Sequence, residues 1–274
     1  EIELSLSGDG NFVAIGAPEN GTAGHVRVYQ NILDVWTQVG ADIDGVGAGD
    51  AFGTSVSINS TGDIVAIGAP YNDGGGIDAG HTKIYQFSAG VWTQIGTDIV
   101  GEASGDLSGT SVSLNETGTF VAIGATLNFG SGSQSGHVRV YENIAGVWTL
   151  VGADIDGEAA FDWSGCSVSL SSDGTVVGIG AFKNDGTGSF AGHARVYEFS
   201  GGTWTQIGGD MDGEAAGDEF GRSISLSGDG TVLAVGGAKN DAAGVNAGHA
   251  RVFENIAGVW TQIGVDLDGS FADD

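Results

Sequence analysis

The chain has one cysteine, Cys166, among 274 residues, so no internal disulfide framework can form. Basic residues are almost as scarce: 8 Lys and Arg stand against 35 Asp and Glu, for a net charge of −27. A nucleic-acid binder needs a basic footprint, and this composition excludes one. The same deficit disfavours adhesion to an anionic membrane surface. No apolar run approaches the roughly 20 residues that a spanning helix requires, so membrane insertion is not expected. No secretory leader is visible, although a trimmed chain would not show one. Helical periodicity is absent throughout, which leaves an all-β reading. What remains is a sequence 41% hydrophobic, rich enough in apolar residues for a packed core.

What is present in quantity is repetition. Trp36, Trp92, Trp148, Trp204 and Trp260 recur at intervals of 56 residues. His25, His81, His137, His193 and His249 keep the same interval, as do Asp42, Asp98, Asp154, Asp210 and Asp266. The 52 glycines also recur at fixed places, where they mark turns and close packing. A unit of this size buries its apolar faces against its neighbours, so the repeat sets the architecture.

One unit reads as four short strands. Thr54 to Ile58 alternates polar and apolar residues, and a turn at 59–62 closes on Gly62. Ile64 to Pro70 is a second strand, ended by Pro70. A Gly-rich loop over 71–80 precedes a third strand from His81 to Gln86, and Val91 to Gly96 is a fourth. An acidic loop, 98–108, leads to the next unit. The second strand carries a small pair on one face: Ala14/Gly16, Ala66/Gly68, Ala122/Gly124, Gly178/Gly180 and Ala234/Gly236. That face must approach another backbone closely, as blades near a propeller axis do. The expected fold is a five-bladed β-propeller of four-stranded antiparallel blades. It forms a single domain over 1–274, with repeats at approximately 1–53, 54–109, 110–165, 166–221 and 222–274. The length accounts for one full circuit, so a closed ring is expected, with an open solenoid as the alternative.

Phe52-Gly53 followed by Gly68-Ala69-Pro70 resembles the FG-GAP repeat of integrin α-type propellers. Phe220-Gly221 matches the first half of that motif, and Gly16-Ala17-Pro18 the second. Repeats three and four carry Ser-Gly at 108–109 and 164–165, and Thr126, Phe182 and Ala238 replace the proline. The Asp-rich calcium loop between the first two strands of integrin blades is absent, so its ligands do not carry over. The resemblance implies a propeller in an extracellular, adhesion-like context, secreted or on a cell surface.

The acidic loops are the candidate metal ligands. They offer Asp42, Asp44 and Asp50; Asp98, Glu102 and Asp106; Asp154, Asp156, Glu158 and Asp162; and Asp210, Asp212, Glu214 and Asp218. Carboxylates at i and i+2 share one side of an extended segment, and calcium takes six to eight such oxygens. The bland reading is that these side chains accept backbone N–H groups of their own turns. The run His-x-Arg-x-Tyr on the third strand, as at His137/Arg139/Tyr141, is repeated in every unit and so reads as a packing device. Its basic residue is expected to pair with an acidic loop between blades. The five repeated tryptophans should be buried between blades, and Trp163 more exposed. Cys166 takes a strand position held by Thr54 and Thr110, as a small strand residue.

Residues that break the repeat are free of packing duty. Phe129, Phe161, Trp163 and Phe190 lie in loops of repeats three and four and form the candidate ligand-binding set. Taken together, the sequence suggests a non-catalytic recognition, adhesion or scaffold module, calcium-stabilised, with a protein or glycan ligand on a surface as partner. The alternatives are a multivalent propeller lectin and a propeller hydrolase or lyase using acidic-loop carboxylates. A unique acid–base pair in one cleft would favour the enzyme.

Overall fold

The computed structural model describes residues 2–272, which contain strands and turns and no helix. Glu1, Asp273 and Asp274 of the expected domain lie outside these residues. Five antiparallel sheets follow one another along the chain. In the third, the strands Ser108–Leu114, Phe120–Ala125, His137–Ile144 and Val147–Leu150 pair in that order. The chain then breaks at Gly152, whose φ is +74°, and Ile155–Asp156 rejoins the same edge of the third strand. The first part of each expected acidic loop is thus a short fifth strand, with Asp156 opposite His137.

Alternation along the strands gives each blade two apolar faces. Val112, Leu114, Val121 and Ile123 meet Ala66, Ile84 and Ile99 of the preceding blade. Ala122, Val138, Val140 and Ile155 meet Val168, Leu170, Val177 and Ile179 of the following one. Equivalent clusters join the first blade to the second and the fourth to the fifth. First strands of consecutive blades contact each other and surround the axis.

The FG and GAP halves of the repeat meet across these interfaces. A Cβ on Gly124 would collide with the carbonyl of Gly165 in the next blade, and Gly16, Gly68 and Gly180 stand in the same relation to Gly53, Gly109 and Gly221. The latter four have φ between +83° and +95°, which favours glycine. Both halves of the contact therefore need Gly, whereas the preceding position holds a buried Phe52, Ser108, Ser164 or Phe220. Ser55, Ser111 and Ser167 tie the same junction by donating to the carbonyls of Gly109, Gly165 and Gly221 at 2.7–2.8 Å.

Two sequence-based expectations require correction. The ring is not closed by packing: no apolar cluster joins the fifth blade to the first among the described residues. Leu4, Leu6 and Leu267 are 59%, 62% and 62% exposed, although their counterparts in other blades are buried, apart from the half-buried Ile224. The tryptophans also differ. Trp36 is exposed, and Trp92, Trp148, Trp204 and Trp260 are half-buried on the outer rim. Their indole N–H groups donate to the carbonyls of Val39, Ile95, Val151 and Ile207 in the preceding blade at 2.7–3.0 Å. That polar edge keeps them at the rim. Trp163 is half-buried too, so exposure does not set it apart.

Candidate functional site

The start of the first strand, the end of the second, the Gly-rich loop and the acidic loop all gather at one end of the ring. There the candidate carboxylates divide into two groups. Asp50, Asp106, Asp162 and Asp218 are buried, and each accepts the side-chain amide of Asn72, Asn128, Asn184 or Asn240 in the next blade at 2.7–3.1 Å. The last three also accept a backbone N–H from Ala103, Ala159 or Ala215 of their own loops. These four carboxylates latch one loop to the next.

The outer carboxylates surround the histidines. His137 Nδ1 lies 3.8 Å from Asp154 and 4.0 Å from Glu102; His193 Nδ1 lies 3.8 Å from Asp210 and 3.9 Å from Glu158. Glu214, His249 and Asp266 form the equivalent group in the fifth blade, and His25, Asp42 and Asp44 in the first. In the second blade His81 stands 3.7 Å from Asp98, and Val46 occupies the glutamate position. Arg139, Arg195 and Arg251 reach Glu102, Glu158 and Glu214 of the preceding acidic loop at 3.3–3.7 Å. Arg27 and Lys83 instead pair with Asp42 and Asp98 of their own blades. Asp156 and Asp212 lend backbone carbonyls to Arg195 and Arg251.

These groups can hold a metal ion. In four blades the ligand atoms lie within 4.8 Å of one another. The His–carboxylate separations are too long for hydrogen bonds but suit donors at about 2.0–2.6 Å from one cation. His193 Nδ1 is buried with no hydrogen bond, aimed at two carboxylates, and both ring nitrogens of His249 lack one. Burial, with the adjacent arginine, holds His137 and His193 down to about 4, so both are neutral near pH 7. Burial raises Glu102, Asp154, Asp156, Glu158 and Asp212, helped by neighbouring carboxylates and opposed at Glu102, Asp154, Glu158 and Asp212 by an arginine.

A central cavity of about 1180 Å³ opens at the same end. The repeat fails along its wall. One ring position holds Thr54, Thr110, Cys166 and Arg222; another holds Glu3, Ser55, Ser111, Ser167 and Ser223. Of the five histidines, His249 alone lines the cavity, beside Asp268, its cross-strand partner. The open seam bares this face. The Cys166 thiol donates to the carbonyls of Gly180 and Gly221, and burial pushes its pKa up, so it is not poised as a nucleophile.

The candidate aromatics lie at this end as well. Phe129, Phe161 and Phe190 are exposed. Phe161, Trp163 and Phe190 hold left-handed backbone, with φ of +72°, +56° and +55°. Trp163 meets Phe182 edge-on at 5.7 Å, and Lys183 Nζ stands 3.1 Å over its ring and 5.8 Å from that of Phe190. Trp163, Phe182 and Phe190 thus gather around one lysine. Phe161 donates its N–H to the carbonyl of Ser133 in the Gly-rich loop that carries Phe129.

Sequence reasoning read His249 as a packing residue and noted Lys183 as a departure from the repeat without giving it a role; it missed Asp268, Arg222, Lys239 and Glu219. A count would have found the cations: the repeated strand position uses five of the eight and leaves Lys183, Arg222 and Lys239.

A family model of the FG-GAP repeat matches residues 211–253. No curated protein shows significant sequence similarity to the chain. Among solved structures, the periplasmic gluconolactonase of Pseudomonas aeruginosa is similar at 15% identity and a TM-score of 0.63, over 96% of this chain and 70% of that one. The putative 6-phosphogluconolactonase of Bacteroides uniformis is similar at 11% identity and a TM-score of 0.59, over 99% and 86%. Kuenenia stuttgartiensis hydrazine synthase is similar at 13% identity and 0.61, over 96% of this chain and 65% of that one, just under two thirds of its length.

The expectation of a non-catalytic adhesion or scaffold module, and of no enzymatic activity, is overturned here. Two of these neighbours are lactonases by name, the Bacteroides protein as a putative one. The cavity wall also carries residues found in one blade only, Cys166 and Arg222 among them.

Proposed function

Taking the chain as the FG-GAP-like repeat propeller that it is, we propose that it is a hydrolase. It opens a small sugar-derived lactone, or a related ester, with water in the central cavity. The observation that carries this reading is that one histidine of five, His249, lies in the cavity wall, its two ring nitrogens buried and unpartnered. Burial and then Arg251 lower its pKa, which keeps the imidazole neutral and able to accept a proton or a metal. The names of the two lactonase neighbours support the substrate class.

Glu214, His249 and Asp266 would hold a divalent cation, which when bound supplies carbonyl polarisation and a more acidic water. Calcium is the ion proposed, because two of the three donors are carboxylates. Asp268 shares the cavity wall and takes the proton of the attacking water. Open loops around a rigid ring admit the substrate from solvent. An extracytoplasmic location belongs to the same proposal: among the described residues no helix is long and apolar enough to cross a membrane, and the acidic surface suits divalent cations.

The test is proton release from glucono-δ-lactone in a pH-stat, corrected for spontaneous opening, with calcium, zinc or manganese added after chelation. Hydrolysis above background, reduced by about 10² or more in His249→Gln, supports the reading. Background rates with every metal, or an unchanged rate in that variant, reject it.

A further inference from the structure

The three cations outside the repeat converge on one place. Arg222 lies 3.0 Å from one oxygen of Glu219, and Lys239 lies 2.7 Å from the other. Lys183 sits over the Trp163 ring, and Arg222 stacks on Phe182 at 4.9 Å. Trp163, Phe182 and Arg222 line the central cavity, so the group forms part of its mouth. The three cations come from two blades, and nothing in blade packing requires them: Thr110 stands at the equivalent of Arg222, and Leu127 and Tyr71 at the repeat position that Lys183 and Lys239 share.

Charge arithmetic makes the group unusual. Three cations share one carboxylate, an excess of two positive charges in a chain of −27. Like charges held together cost free energy unless a counter-charge joins them. Glu219 is also held with φ at +53°, the left-handed position occupied elsewhere by Ala51, Leu107 and Trp163. Its side chain is only 13% exposed, and it fixes Arg222 and Lys239 from below, leaving their outer N–H groups to a ligand.

We propose that Lys183, Arg222 and Lys239 form an anion-binding subsite at the cavity mouth, which takes a phosphate monoester or a carboxylate of a small polyhydroxy ligand. Arg222 supplies planar paired donors, the two lysines supply point charge, and the exposed Phe190 packs against the carbon skeleton. The subsite does not depend on the cavity being catalytic, so a protein that binds the anion without cleaving a lactone would retain this inference and lose the previous one.

Calorimetric titration tests it, with inorganic phosphate, gluconate 6-phosphate and gluconate as probes at fixed ionic strength. The expected result is saturable binding of at least one probe, weakened about tenfold or more in Arg222→Gln and again in Lys239→Gln. Preference for gluconate 6-phosphate over gluconate assigns a phosphate ester; equal binding of the two assigns a carboxylate. Both substitutions lie on exposed side chains, and an unchanged melting temperature verifies the fold. Absence of saturable binding by all three probes overturns the proposal, as does binding that survives both substitutions.

Discussion

Gly124 and Gly236 hold the same place in their blades and face different neighbours. A Cβ on Gly124 meets the backbone carbonyl of Gly165, which cannot move without shifting a strand. On Gly236 it meets only the rotatable Ser223 hydroxyl. Gly124→Ala is therefore expected to cost about 1–3 kcal/mol, and Gly236→Ala less than about 0.5. Urea denaturation of both variants decides the matter, and equal losses would argue against an open seam. The glycines that serve these contacts were legible in the sequence, because a small pair recurring on one strand face signals a close backbone approach in every unit. The special status of His249 was not. By register it equals His137, and only the assembled ring places it in the cavity wall.

At the scale of the strand, each third strand opens on a buried histidine. His137 and His193 are held down to about 4 by burial, against an ordinary value of 6.5. A depressed histidine takes up its proton more readily in the unfolded chain. Its contribution is therefore complete above pH 6.5 and lost as pH falls toward 4, on the order of a few kcal/mol for the pair. The raised carboxylates act in the opposite sense. Melting temperature should thus fall between pH 6.5 and 5, and His137→Gln with His193→Gln should flatten that slope. Divalent cations bear on the same elements. Calorimetry before and after chelation should show a stabilisation of about 2.7 kcal/mol when free metal is a hundredfold above its dissociation constant. An unchanged melting temperature would count against metal binding at these clusters. The carboxylate clustering was visible in the sequence. Its division was not, because Asp106 and Glu102 differ only in which way a turn points them.

For the whole molecule, five blades share four packed interfaces. Inner blades are held on both faces and end blades on one, so stability is graded as in a linear repeat array. Each leucine left at the seam forgoes roughly 1.5–3 kcal/mol of burial. Hydrogen exchange should therefore be fastest in Glu3–Leu6 and Leu267–Asp268 and slowest in the second and third strands of the middle blade. Uniform protection across all blades would contradict the unpacked seam. Blade number, strand order and interface chemistry could be read from the 56-residue register. Closure could not, because a repeat specifies how each unit meets the next and not the angle accumulated over the ring.

The basic mouth also governs how a ligand arrives. An anion approaching from afar meets the field of −27 before it meets three cations. Far charges are screened first, since the Debye length shortens from about 30 Å at 0.01 M salt to about 8 Å at 0.15 M. Contacts at the mouth span less than that. The association rate of gluconate 6-phosphate should then rise with added monovalent salt over this range, the reverse of ordinary electrostatic steering. Stopped-flow measurement of that rate would make the patch a door in a repelling wall, opened by screening.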